Sequence, residues 1–199
     1  MPILVRDTFA PLKHWLGLST LLAAADDDKI VASANMKVGA YTIAAQPSIP
    51  SRIGVKVTTV GTADTLGTII VAGTDCFDRV LTETVTPVAG STVYTTHYFK
   101  TITSVTGAGW VIDAVEGTAD TIIVGVLASG GMEGVKGQPV TIEIMSGNVW
   151  INDKIVAVAD ATAIKKVAGQ TMDFVPTTDV ISMISDASGA TVQVYVWDL

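Results

Sequence analysis

Apolar and polar positions alternate along much of this chain. From Arg52 to Val60 the swap comes at nearly every residue, with Ile53, Val55, Val57 and Thr59 on one side and Lys56 and Thr58 on the other. A period of two is that of a strand with one face buried. Leu66 to Val105 reads as three strands, broken at Gly73-Thr74-Asp75 and at Pro87-Val88-Ala89-Gly90, both with turn chemistry. In its middle strand Arg79, Leu81, Glu83 and Val85 point one way, and Val80, Thr82, Thr84 and Thr86 the other. This stretch has the look of a scaffold for sheet-to-sheet or subunit-to-subunit packing. Lys37 to Ala44, Trp110 to Glu116 and Thr121 to Leu127 complete the set. About seven short strands with turns every ~8–12 residues match an Ig-like or related antiparallel β-sandwich.

The alternation pauses at Ser129-Gly130-Gly131-Met132-Glu133-Gly134, which reads as a flexible linker and a domain boundary. Beyond it, strands are predicted at Pro139 to Met145, Val149 to Ile151, Ala163 to Val167, Met172 to Val175, Val180 to Ser185 and Thr191 to Asp198. That density suits a small sandwich or jelly-roll-like barrel. Before the first strand the pattern changes again. Leu12, Trp15, Leu16, Leu18, Leu21 and Leu22 fit an apolar helical stripe, weakened by Gly17. The run Asp26-Asp27-Asp28 reads as a solvated loop or a helix cap, since a calcium loop needs spaced ligands and a turning glycine. The predicted fold is therefore all-β: an N-terminal arm over 1–35, an Ig-like β-sandwich over 36–128 and a small β-sandwich or jelly-roll-like domain over 129–199. The pentapeptide GTADT occurs at Gly61 to Thr65 and again at Gly117 to Thr121. Its flanks do not repeat, so it reads as a recurrent turn.

Two places are candidate interaction surfaces. One is the arm, with Leu12, Trp15, Leu16 and Leu21, which either docks on a neighbouring subunit or covers a sheet edge. The other is the last strand. There Val192, Val194 and Val196 make one face, and Gln193, Tyr195 and Trp197 the other. Two large aromatics on a second face are more use at an interface than in solvent. The four tryptophans, Trp15, Trp110, Trp150 and Trp197, are far apart in sequence and fit either a core or a platform.

Composition narrows the function. Only 16% of the 199 residues are charged, while 49% are hydrophobic. That balance suits a sheet protein that hides surface in an assembly. The net charge of −7, with 12 scattered basic residues, argues against nucleic acid as a partner. Cys76 is the only cysteine, so no intrachain disulfide forms, and its acidic neighbours Asp75 and Asp78 disfavour a thiolate. Arg6, Asp7, Lys13 and His14 interrupt the apolar start, so no secretory signal is expected. No run reaches the ~18 apolar residues of a membrane helix. His14 and His97 are the only histidines, and neither sits in a catalytic motif. Two histidines and one cysteine make a poor zinc set. Glu83, Asp113, Glu116 and Glu143 are carboxylates that a fold can bring together, and nothing in the sequence selects them. The expectation is no catalytic residue, no cofactor and no metal site.

The strand, "GTD" turn, "TETV" strand, "GSTV" turn and "FKTITSV" of Leu66 to Val105 resemble a module common in virion proteins of tailed bacteriophages. Ala159 to Leu199, above all its "ISDASGATVQV", resembles the C-terminal β-domain of phage head-associated proteins. The resemblance implies a non-enzymatic decoration or cement protein on the capsid surface of the virion, assembled in the host cytoplasm. It also implies the major capsid protein and copies of this chain, as a homotrimer, as partners; from charge and hydropathy, neither nucleic acid nor membrane is expected. Two alternatives stay open: a ring-forming head–tail connector or tail component, and a carbohydrate- or receptor-binding β-module. Exposed aromatics in a row would favour the last.

Overall fold

A computed structural model describes residues 12–21, 24–60, 64–112, 120–153, 162–186 and 189–197. Their regular structure is all strand: β1 (Leu12–Leu21), β2 (Asp26–Asn35), β3 (Gly39–Ala40), β4 (Ser51–Thr58), β5 (Thr68–Thr74), β6 (Val80–Val85), β7 (Thr92–Tyr94), β8 (Thr101–Ala108), β9 (Thr121–Glu133), β10 (Val140–Ser146), β11 (Asn148–Asn152), β12 (Ile164–Val167), β13 (Thr171–Phe174), β14 (Val180–Ser185) and β15 (Ala190–Trp197). The protein is all-β, and its named strands pair antiparallel in three sheets. A central sheet runs β12-β11-β14-β9-β4-β7, with β2 also paired to β9. One cover sheet, β3-β8-β5-β6, belongs to the N-terminal part of the chain. The other, β1-β15-β10-β13, gathers C-terminal strands and the first strand.

The alternation of the sequence builds two cores between these layers. In the first, Ile69, Val71, Val85, Ile102 and Val105 of one cover sheet meet Ile53, Val55, Val57, Ile122 and Val124 of the central sheet. In the second, Val140, Ile142, Ile144, Val192, Val194 and Val196 of the other cover sheet meet Val149, Ile151, Ile181, Met183 and Met132. Each fully buried aliphatic side chain contributes about 1.5–3 kcal/mol relative to exposure. The β-branched residues that favour a pleated surface are the ones doing the packing.

Strand β9 links the two cores, and it overturns the expected linker at 129–134. Ser129, Gly130, Gly131 and Met132 are buried strand residues. Gly131 and Gly130 face Ser182 and Met183 of β14, while Gly130 also pairs with Ser51 of β4. Glycine is there because backbones come close. A Cβ on Gly131 would lie 2.6 Å from the Ile181 carbonyl oxygen and 2.6 Å from the Tyr98 ring, and one on Gly125 2.0 Å from the Asp26 carbonyl oxygen. The register also slips here. Two steps of β4, from Ser51 to Ile53, span four of β9, from Gly130 to Val126. Such an irregularity bends the strand between one core and the next.

The first 35 residues also differ from expectation. The apolar run Leu12–Leu21 is strand β1 on the edge of β15, not a helix. Pairing to β15 satisfies one side of its backbone, which outweighs the leucines' preference for helix. Asp26 to Asp28 open strand β2 instead of forming a loop, and β2 continues to Asn35 along β9. Residues 1–11 and Leu22 lie outside the described residues. Lys37 to Ala44 supplies only the two-residue β3. Leu66 to Val105 yields four strands instead of three, and β7 leaves the cover sheet for the central one. Of Trp110 to Glu116, Trp110 to Ile112 are described, and Val111 pairs singly with Thr65. The six strands predicted after residue 139 are all present, within a residue or two.

Described residues of the two GTADT copies are anchored by separate hydrogen bonds. Thr65 of the first exchanges backbone hydrogen bonds with Val111, 2.9 Å each way. Asp120 of the second is fully buried. Its Oδ1 accepts from the Val60 N–H at 3.1 Å and its Oδ2 from Trp110 Nε1 at 3.1 Å. Trp110 is thereby a core-edge residue packed on the N-terminal cluster. Residues 61–63 and 117–119 of the two copies lie outside the described residues.

Replacing Gly131 by Ala is expected to lower stability by about 2 kcal/mol in urea unfolding, because the added methyl overpacks a buried crossing. A change within about 0.5 kcal/mol, the usual range for unconstrained surface sites, would return this segment to the status of a linker.

Candidate interaction surfaces

The outward face of the β1-β15-β10-β13 sheet follows directly from the alternation of β15. With Val192, Val194 and Val196 buried, Gln193, Tyr195 and Trp197 stand on the opposite side, partly buried. Register adds Thr141 opposite Tyr195 and Glu143 opposite Gln193, then Asp173 opposite Thr141 and Thr171 opposite Glu143. The Tyr195 and Trp197 rings are nearly parallel, 25° between planes with centroids 6.1 Å apart. Their polar tips are tied down within the face. Trp197 Nε1 donates to Thr141 Oγ1 at 3.1 Å, Thr141 Oγ1 donates to Asp173 Oδ1 at 2.6 Å, and the Tyr195 hydroxyl donates to Gln193 Oε1 at 2.9 Å. The Tyr195 phenol is pushed up from its ordinary value by desolvation and then by the nearby Glu143 carboxylate.

The predicted surface residues divide. Tyr195 and Trp197 are on this face. Trp15 is in register with Tyr195 and Leu12 with Trp197, so the arm and the last strand, read as two separate candidates, lie side by side. Leu16 falls in the irregular stretch between Trp15 and Leu18. Leu21 is a correction: at 1% exposure it belongs to the C-terminal core and to no surface. Trp150 carries Lys165 Nζ 5.0 Å above its ring.

The second surface was legible only as strand parity. On the outward side of the other cover sheet stand Thr68, Ile70, Ala72 and Thr74 of β5, Thr82 and Thr84 of β6, and Ser104 and Thr106 of β8. Register places Ile70 between Thr84 and Thr106, and Ala72 between Thr82 and Ser104. These eight residues carry no charge. Charges gather at the rim instead. In the GTD turn Asp75 Oδ1 accepts from the Phe77 and Arg79 N–H groups, and Asp75 Oδ2 binds Arg79 Nε at 2.6 Å. Lys100 Nζ reaches Asp78 Oδ1 at 2.7 Å.

Groups with chemical potential are occupied structurally. The Cys76 thiol is buried, donates to the Glu133 carbonyl oxygen at 3.6 Å, and is pushed up to about 12, chiefly by burial and secondarily by Asp75. Burial therefore holds it in the thiol form within the core. His97 lies in a bend between β7 and β8. Its Nδ1 meets Glu133 Oε2 at 2.7 Å, while Glu83 accepts the Thr96 and His97 backbone N–H groups at 2.6 and 3.1 Å. Glu83 and Glu143 lie on different cover sheets, and Asp113 and Glu116 are outside the described residues. His14 is on β1 opposite Val196. Among the described residues no three of His, Cys, Asp and Glu converge as a metal set, and no helix is long and apolar enough to cross a membrane. A shallow groove of about 420 Å³ beside β2 has Lys37 and Tyr41 as its titratable lining.

No protein-family model matches the chain, and no curated protein matches its sequence.

The His97–Glu133 contact makes stability depend on pH. The Glu133 hydrogen bond raises His97 above its ordinary 6.5, against a smaller opposing effect of desolvation and with help from the Glu133 and Glu83 charges. The folded value exceeds the unfolded one. The stabilisation is therefore full below pH 6.5 and is lost as pH rises through the raised folded value. His97 is 49% and Glu133 25% exposed, so solvent screens the pair to roughly 0.5 kcal/mol. Urea midpoints of the wild type and Glu133→Gln are expected to differ near pH 5.5 and to converge near pH 9.

Proposed function

We propose that this chain is a non-enzymatic structural protein of a tailed-bacteriophage particle, a decoration or cement protein bound across subunits of the capsid shell. Its partners in this reading are the major capsid protein and copies of itself, as a homotrimer. The observation that carries the reading is the uncharged outward face of β5, β6 and β8, formed by the stretch in which the virion-module resemblance lies. Burying charges beneath a partner costs several kcal/mol each unless they are paired. A face of Thr, Ser, Ala and Ile avoids that cost, and its hydroxyls pair with whatever polar groups cover them.

Magnitudes decide how such a face would act. Three strands ~4.8 Å apart, of seven, six and eight residues at ~3.3 Å per residue, offer roughly 300 Å² of flat surface. A specific two-body contact uses about 800 Å² per partner. One such face alone is too small for a stable pair. Repeated over a lattice, with each copy touching more than one neighbour, it gains by avidity, and the shell gains the binding free energy at every site.

The pair of substitutions Thr82→Lys and Thr84→Lys puts two charges on exposed positions of this face. We expect thermal stability within about 0.5 kcal/mol of the wild type and loss of co-sedimentation with shells of the cognate major capsid protein. Unchanged co-sedimentation would overturn the assignment of this face. Light scattering of the purified chain is expected to give three times 20.7 kDa. A closed ring of higher order would move the reading to a connector or tail component.

A further inference from the structure

We infer that the outward face of the β1-β15-β10-β13 sheet is a binding site for a neutral saccharide, an activity beyond the capsid reading and independent of it. The face is distinguished first by the charges it lacks. Its described side chains include the carboxylates Glu143 and Asp173 and no Lys, Arg or His. An anionic ligand would be repelled. A second protein surface would have to pair or bury both carboxylates, and protein interfaces are depleted of Asp and Glu for that reason.

Sugar chemistry fits what is present. A pyranose offers an apolar C–H face and a rim of hydroxyl donors. The Tyr195 and Trp197 rings supply large, rigid apolar surface at small entropic cost. They are near-parallel and held in place, because each ring's polar tip is hydrogen-bonded to a neighbour on the sheet. Around them stand acceptors for hydroxyl protons: the Asp173 carboxylate, fixed through Thr141, and Glu143 beside the Tyr195 phenol. An ionised carboxylate accepts several hydrogen bonds, and one to a hydroxyl is short and charge-assisted. Asp173, Thr141 and Tyr195 form one cross-strand row, which continues at the register position of Trp15 on β1. An extended row of aromatic and acceptor groups on an open sheet suits a chain of sugars better than a single small molecule, which prefers a concave pocket.

The test is an array of neutral glucose, galactose, mannose and N-acetylhexosamine oligosaccharides probed with the full chain. Its best ligand is then titrated by calorimetry and tryptophan fluorescence. A heparin oligosaccharide and a decalysine peptide serve as anionic and cationic comparisons. We expect at least one neutral oligosaccharide to bind with Kd below about 1 mM, and heparin not to bind. Trp197→Ala should weaken binding by about tenfold or more and Trp197→Phe by much less. Asp173→Asn, at an exposed position that leaves the fold intact, should weaken it by roughly threefold or more. Absence of binding across the neutral array overturns the inference. So does binding that survives both Trp197→Ala and Asp173→Asn unchanged. Binding of decalysine alone would make the face a dock for basic peptide instead. Failure here leaves shell co-sedimentation untouched, since that rests on the opposite cover sheet.

Discussion

A strand that serves two cores has to admit neighbouring backbone where side chains would otherwise stand. Gly125 and Gly131 do this in β9, at positions where any Cβ would meet a carbonyl oxygen of β2 or β14 well inside contact distance. Glycine in a strand costs about 1 kcal/mol of chain entropy. Burial of Met132, Ile181, Val124 and Ile122 around these crossings offsets it. Because β9 carries β2 and β4 over one part of its length and β14 over the other, both cover sheets rest on a single platform. The close approach at the glycines is what allows that platform to exist.

Once the inner faces are committed to packing, chemistry is left to the outer ones, and the two have diverged. One cover sheet presents hydroxyl and methyl groups without charge. The other presents two aromatic rings, two carboxylates and the polar groups that fix the rings. The same parity rule produces both, since most outward residues sit one step from a buried valine or isoleucine. A substitution at an outward position therefore changes what the face presents while the core residues keep the strand in register. His97 and Glu133 add a polar tie between the β7–β8 bend and the end of β9, next to the buried thiol of Cys76.

Much of the fold could be read from residues because alternation is a local signal that burial enforces. Ile53, Val55 and Val57 are buried where the period of two placed them, and the six strands after residue 139 follow the same rule. The misses share a cause. Ser129 to Gly134 has the composition of a linker, yet its small residues reflect neighbours distant in sequence, Ile181 and Tyr98, that composition does not reveal. Leu12 to Leu21 fits a helix as well as a strand, and only the open edge of β15 decides between them. Asp26 to Asp28 looks like loop until β9 is there to pair with it. Among the surface residues, Tyr195 and Trp197 were legible from parity. Leu21 was not, because an apolar residue near a strand end faces either way. Asp173, Thr141 and Glu143 join Tyr195 and Trp197 only through cross-strand register, which a single sequence does not contain.

The pairing of β1 with β15 has a consequence in time. Ribosomes release β1 first among these strands and β15 last, so the earliest strand waits for all the strands between before it finds its partner. The C-terminal half of β9 waits nearly as long for β14. Contacts of such sequence separation form slowly, and apolar strand edges left open meanwhile invite association between nascent chains. Translation rate and chaperone supply, more than final stability, would then set how much of this protein reaches its folded state in a crowded cell.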